Sequence, residues 1–333
     1  MDESIRLRYS LFVGMVETTR KMRGLAKRDN AKLALDISSK LIHSGIVDLM
    51  NDEELKLFIE SRDFFATQLD AERDIIENSV RSYFLALHQT NGGRLEDFRS
   101  EFFNKTSGDQ TGVLAVINAR KYFVKTHQHG PTNSNPRSVA PPDSKEIFVY
   151  KLLELIGIGS VVHYILPIHG MTLYIATEDA LFTQLKDLHN KPDSATFQAL
   201  LQLDLIARIL CLSDCTTNET NCGIRKNGEP CIIDFRVLER NDYNKDDIIE
   251  RYIRGNGEYN YTRLMKEATS TESSVKMSIA KNALTRWSLD ENIAKSKTFT
   301  ENFMTSFRQS DESDLERYVL GISKTIQLLS NMP

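Results

Sequence analysis

The sequence predicts an α+β fold, with a β-rich block set between two helical regions. Three observations lead there. Up to residue 104 the apolar side chains recur three and four apart, the spacing of a helix face. From residue 105 the texture changes to short β-branched and aromatic runs, such as VLAVI and YFV, punctuated by glycine and proline. Beyond residue 179 helical spacing returns and holds to the end, broken by a polar loop and a hairpin signal between residues 211 and 236.

The N-terminal region, residues 1–104, is expected to be a helical domain. RLRYSLFVGMVETT and the run from Lys32 to Val47 are helical by composition. Asp52 is the expected N-cap of a helix carrying Leu55, Phe58, Ile59, Phe65 and Leu69. A further helix carries Ile76, Val80, Phe84 and Leu87, and Asn91-Gly92-Gly93 stops it. This region names no chemistry; it reads as a brace, with a surface for a protein partner.

In the second region, residues 105–179, the segment Ser107-Gly108-Asp109-Gln110-Thr111-Gly112 leads into a strand, a small loop and a second strand ending at Lys125. A charged residue inside an apolar strand needs a reason. Residues 126–144 form a polar, proline-rich loop in which His127 and His129 are expected to be solvated. A helix from Lys145 to Gly157 follows, with Glu146 in its first turn, where the helix dipole favours an acid. Two strands come next, Val161–Ile165 and Thr172–Ala176, and then Thr177-Glu178-Asp179 leads to a helix. The third region, residues 180–333, is expected to be helical apart from its loop and hairpin.

Length and composition set bounds. The chain has 333 residues, 41% hydrophobic and 26% charged, with a formal net charge of −4. That balance is globular, and with no dense basic stripe it points away from nucleic acid. No apolar run approaches the roughly 18 residues of a membrane span. The early acids in MDESIRLRYS do not match a signal peptide, so the expected location is cytoplasmic. The cysteines Cys211, Cys215, Cys222 and Cys231 cluster, but only the first two have zinc-ligand spacing. Cys211 continues an apolar helix and Cys231 lies in an apolar strand, where a buried thiol is ordinary.

The chain is organised around residues 204–236, DLIARILCLSDCTTNETNCGIRKNGEPCIIDFR. An apolar helix with Leu203, Ile206 and Leu210 on one side breaks into a loop holding Asp214, Asn218 and Asn221. A hairpin turning at Lys226-Asn227-Gly228 then returns the chain to Asp234. Phosphoryl transfer uses such a set: one Asp takes the hydroxyl proton, while an Asn and a second Asp hold Mg²⁺ against the phosphates.

At these residues the chain resembles the protein-kinase-like superfamily, in its divergent branches: HipA-like serine kinases, lipid kinases and small-molecule phosphotransferases. Asp214 matches the catalytic-loop Asp, Asn221 the loop Asn, and Asp234-Phe235 the first two residues of the DFG motif. Leu212-Ser213 stand where His-Arg is usual, the Asp-to-Asn spacing is two residues longer, and Arg236 replaces the glycine. The resemblance covers residues 105–236 and implies a bilobal fold, with a small β-rich N-lobe and hinge and a helical C-lobe.

The resemblance also implies ATP and Mg²⁺ as ligands. Gly108 and Gly112 would belong to a loop over the phosphates, and Lys125 would reach the α/β-phosphates. Glu146, with Glu154 as rival, would pair with Lys125, and Thr177 and Glu178 would lie in the hinge beside adenine. The expected activity is ATP-dependent transfer to an alcohol group, as in a Ser/Thr protein kinase or a HipA-like toxin kinase. Two alternatives stand beside it: a pseudokinase scaffold, in which Arg236 weakens the metal site, and a helical adaptor that binds no nucleotide.

Overall fold

Asn51 starts the longest helix of the chain. Its side chain accepts from the Glu54 amide at 2.9 Å while the Glu54 carboxylate accepts from the Asn51 amide at 3.1 Å, a reciprocal capping box. The computed structural model describes residues 3–22, 25–104, 110–130, 141–166, 172–188, 193–215, 218–238, 248–255, 263–305, 307 and 312–332. The fold is α+β with antiparallel ladders. By its internal contacts the chain divides into two units, residues 1–141 with 164–176 and residues 142–163 with 177–333.

In the first unit, helices α1 (Glu3–Lys21), α2 (Leu25–His43) and α3 (Asp52–Thr90) pack around Phe12, Ala31, Ala34, Leu41, Phe58 and Phe65. The ring of Phe12 lies 5.1 Å from that of Phe58 and 5.5 Å from that of Phe65. The C-terminal half of α3 then covers one face of a sheet. Strands β1 (Ser100–Asn104), β2 (Gly112–Ile117), β3 (Arg120–Thr126), β4 (Val162–Ile165) and β5 (Tyr174–Glu178) are ordered β1-β2-β3-β5-β4. Ile76, Val80 and Phe84 of α3 pack on Val113, Ala115, Ile117, Tyr122 and Val124, the alternate positions that a pleated strand turns to one side. Asn118 and Ala119 join β2 to β3 with positive φ (47° and 66°), as a two-residue type I′ hairpin requires.

The second unit is mainly helical: α4 (Ser144–Leu155), α5 (Ser194–Ile209), α6 (Arg263–Thr269), α7 (Ser273–Arg286), α8 (Leu289–Met304) and α9 (Glu312–Asn331). Asp143 caps α4 by accepting from the Lys145 amide at 2.8 Å, and Asp193 caps α5 by accepting from the Thr196 amide at 2.8 Å. Helix α4 is held by α8 and α9. Ser296 donates to the Phe148 carbonyl at 2.7 Å, the Phe148 ring meets Tyr318 edge-on, and Lys145 pairs with Asp314. Short strands complete the unit: β6 (Phe182–Gln184), β7 (Leu212–Ser213), β8 (Cys222–Arg225), β9 (Pro230–Ile232) and β10 (Arg236–Val237). Among the described residues, no helix is long and apolar enough to cross a membrane.

Several local expectations need correction. Residues 52–90 form one helix rather than two, because nothing between Leu69 and Ile76 breaks helical geometry, and its cap is Asn51, not Asp52. Residues 100–104 are a half-exposed strand, not the end of the helical region. Thr177 and Glu178 finish β5, and the next helix waits until Ser194, with β6 in between. His127 is buried instead of solvated, its amide donating to the Leu173 carbonyl at 3.2 Å.

Candidate active site

Helix α5 ends at Ile209, and Cys211 turns the chain with φ 51° into β7. There Ser213 pairs with Arg236 and Leu212 with Val237, and the Leu238 amide donates to the Cys211 carbonyl at 3.0 Å. This narrow ladder is a neck: the chain leaves it at Asp214 and comes back at Phe235. Asp214 makes the exit with φ 63°, a left-handed turn that Asp tolerates better than most residues.

Between these points the hairpin β8–β9 folds on Lys226-Asn227-Gly228, where Gly228 has φ 82°. Its base is closed by the Ile233 amide donating to the Asn221 carbonyl at 2.9 Å. Arg225 anchors it outward, donating to the carbonyls of Gly159 at 2.7 Å and Ala180 at 2.9 Å. Cys215, Cys222 and Cys231 are buried free thiols under this base. Burial pushes the Cys222 thiol well up and the Cys231 thiol to about 11, so both stay protonated at neutral pH. The Cys222 thiol donates to the Cys215 carbonyl.

Three of the sequence-selected residues of this stretch meet directly or through one neighbour. Asn221 is buried, and its Nδ2 donates to the Asp214 carbonyl at 2.8 Å. Arg236 Nε lies 3.7 Å from Asp214 Oδ2, with both side chains about half exposed. Thr220 Oγ1 is 2.8 Å from Asn218 Oδ1 and 3.2 Å from Asn221 Oδ1. A hydroxyl has one proton, so the shorter contact takes it and Asn221 Oδ1 keeps acceptor capacity. Asp234 is half-buried just before β10. Asn221 Oδ1 and the Asp234 carboxylate are hard oxygen donors of the kind Mg²⁺ takes, and Mg²⁺ is held by one or two such protein groups together with substrate phosphates. In donor chemistry alone, these two residues suit that ion. Among the described residues there is no cluster of three or more His, Cys, Asp or Glu side chains arranged for a metal.

Phe235 is buried, its ring 4.4 Å from that of Tyr150 on α4. Glu146, one turn earlier on α4, is fully buried. Glu154 is engaged by Lys151 Nζ at 2.9 Å. The Glu178 amide donates to the Val161 carbonyl at 3.0 Å, so that N–H is not open to a ligand. Lys125 and Gly112 belong to the first unit, where they stand opposite each other in the β2–β3 ladder. Lys125 is half-buried, on the strand face away from Tyr122 and Val124. Gly112 has a packing reason to be glycine: a Cβ there would sit 1.8 Å from the Val124 carbonyl oxygen. Gly108 lies outside the described residues.

Two features escaped the sequence reading. Arg236, weighed there only as a neighbour of Asp234, stands against Asp214, because the β7–β10 register sets it across from Ser213. A buried charge cluster also lies behind the loop. Asp204 pairs with Arg208 at 2.9 Å and feels Lys276, and Tyr252 donates to the Lys276 carbonyl at 3.3 Å. The Asp204–Arg208 spacing was the only visible signal, since a lysine in a helix ordinarily reads as solvated. No known family model matches the chain, and no curated protein matches it.

Proposed function

We propose that the chain is an ATP-dependent phosphotransferase of protein-kinase-like design, with Asp214 as the base and an alcohol group as the acceptor. The observation that carries this reading is the tie between Asn221 and Asp214 at 2.8 Å across a neck that returns Asp234 to the same loop. The buried Asn221 amide fixes the main chain beneath an exposed carboxylate. That fixed backbone supports the positioning of the base on which phosphoryl transfer depends.

In the proposed step, the Asp214 carboxylate accepts the proton of the acceptor hydroxyl as its oxygen bonds to the γ-phosphorus. The bond from that phosphorus to the β,γ-bridging oxygen breaks, and the electron pair leaves on ADP. Asn221 and Asp234 would hold Mg²⁺, which neutralises the phosphate charge when bound. Phe235, packed on Tyr150, keeps Asp234 from drifting. The burial of Glu146, against the engagement of Glu154 with Lys151, supports Glu146 as the acid of α4 that serves the site.

The pairing of Arg236 with Asp214 favours a second reading, a pseudokinase whose base is neutralised. The experiment is a thermal melt with and without Mg·ATP, together with transfer of labelled γ-phosphate to lysate proteins. At 100 times its dissociation constant, Mg·ATP should stabilise the fold by about 2.7 kcal/mol. Stabilisation without transfer selects the pseudokinase; an unmoved melt removes both readings and leaves a helical adaptor.

A further inference from the structure

We infer that Arg236 is a catalytic residue whose guanidinium clamps the phosphoryl group in transit while its Nε edge orients Asp214. The inference rests on the phosphotransferase reading and goes beyond it by naming the cation that the loop itself lacks. Residues 214–221 are Asp, Cys, Thr, Thr, Asn, Glu, Thr and Asn, a stretch with two acids and no base. A phosphoryl group arriving beside such a loop finds no positive side chain within it. Transfer needs a fixed positive group where negative charge spreads over the equatorial oxygens.

Among the described residues, the neighbouring arginines are otherwise engaged. Arg225 is spent on the Gly159 and Ala180 carbonyls. Arg208 lies behind the loop with buried Asp204. Lys226 sits exposed in the hairpin turn, at the opposite end of β8 from Asn221. Arg236 is different: its strand position alternates with buried Val237, so it points outward on the side of Ser213 and Asp214.

Geometry sets how it would work. At 3.7 Å the contact of Nε with Asp214 is an ion pair and not a hydrogen bond. With side chains 55% and 53% exposed, the pair is weak enough to be shared with an incoming anion. A guanidinium carries five N–H donors in a fixed fork, so one edge can face the carboxylate while the terminal nitrogens bind phosphoryl oxygens. A lysine ammonium gathers its three donors at one point and lacks that planar fork.

The test compares the wild-type chain with Arg236→Lys, Arg236→Gln and Arg236→Ala, using Mg·ATP as the probe. Nucleotide binding and phosphate release, or self-labelling, are measured separately. The expected result is Mg·ATP affinity within about threefold of wild type and turnover lowered on the order of 100-fold in Arg236→Gln. Arg236→Lys should fall between them, and added guanidinium ion should partly restore Arg236→Ala, which a merely structural role would not do. Unchanged turnover in Arg236→Gln, with Mg·ATP still bound, overturns the inference and spares the phosphotransferase reading. Raised turnover makes Arg236 a brake and also overturns it. Wild-type chain that binds Mg·ATP and turns over nothing refutes it in favour of the pseudokinase. Wild-type chain that does not bind Mg·ATP removes both.

Discussion

The stability of the second unit should depend sharply on which charge is taken from the cluster around Asp204. Asp204 and Lys276 are each 1% exposed, and Arg208 lies one helical turn from the acid at 2.9 Å. Burial raises the Asp204 carboxyl, offset in part by Arg208 and Lys276, and burial lowers the Lys276 ammonium, offset in part by Asp204. Asp204→Ala removes the carboxylate that both cations face, which should cost about 3–5 kcal/mol. Lys276→Met leaves the Asp204–Arg208 pair intact and replaces a desolvated charge by an apolar chain of similar length. It should cost no more than about 1 kcal/mol and could stabilise. Trp287, the one tryptophan, is buried at the end of the helix that carries Lys276, so its fluorescence in urea melts reads this unit. The direction with pH follows from the shifts. Lys276 contributes a rise in stability as pH climbs from its lowered value to 10.5, because the unfolded chain there binds the proton that the fold refuses. Lys276→Met should lose that rise. If Lys276→Met costs as much as Asp204→Ala, the pairing argued here is wrong.

Other expectations are simpler to check. Gly112→Ala drives a Cβ to 1.8 Å from a backbone oxygen that no rotamer can move, and should cost about 3 kcal/mol or more in urea melts. Its control, Gly14→Ala in open space on α1, should stabilise by about 0.5–1 kcal/mol. Asp214→Asn should abolish phosphate transfer while sparing Mg·ATP binding, and Asp234→Asn should weaken the Mg²⁺-dependent binding itself. Asn218→Ala, which loses only local bonds to Thr220, should change either by little; equal small effects from all three would make the loop a mere turn. Burial, helped by Lys151, holds His163 below its usual 6.5. Stability should therefore fall as pH drops from 6.5 toward the folded value, and His163→Gln should flatten that slope in a pH series of melts.

The sequence revealed those elements whose signals are local. Asn227-Gly228 marked the β8–β9 turn, and the apolar run after Asp143 marked α4. Helical spacing on both sides of residue 70 was visible too, but spacing does not say whether two helical stretches are continuous. That depends on phase and on the absence of a breaker, which is how α3 came to be cut in two. Strand β1 was missed because SEFFN is short and half exposed, so its pairing with β2, not its own pattern, makes it a strand. Within the site, Asp214, Asn221 and Asp234 were legible as residue types in order. The bond from Asn221 to the Asp214 backbone was not, since it depends on the neck. Lys276 was invisible for a related reason: only tertiary packing decides that a lysine on an amphipathic helix is buried.

The two-residue ladder between Leu212–Ser213 and Arg236–Val237 makes the intervening segment a lasso whose knot, not whose length, keeps its two ends together. Lengthening a closed loop of about twenty residues by two raises its closure entropy cost by only about 0.1 kcal/mol. Evolution could therefore let the interval between Asp214 and Asn221 drift while their hydrogen bond, drawn tight from the knot side, stayed put. Spacing alone would then miss a loop whose main-chain carbonyl and side-chain amide still meet. For an engineer the same tolerance is an opening: residues inserted between Asp214 and Asn221 should leave the Asn221–Asp214 hydrogen bond in place.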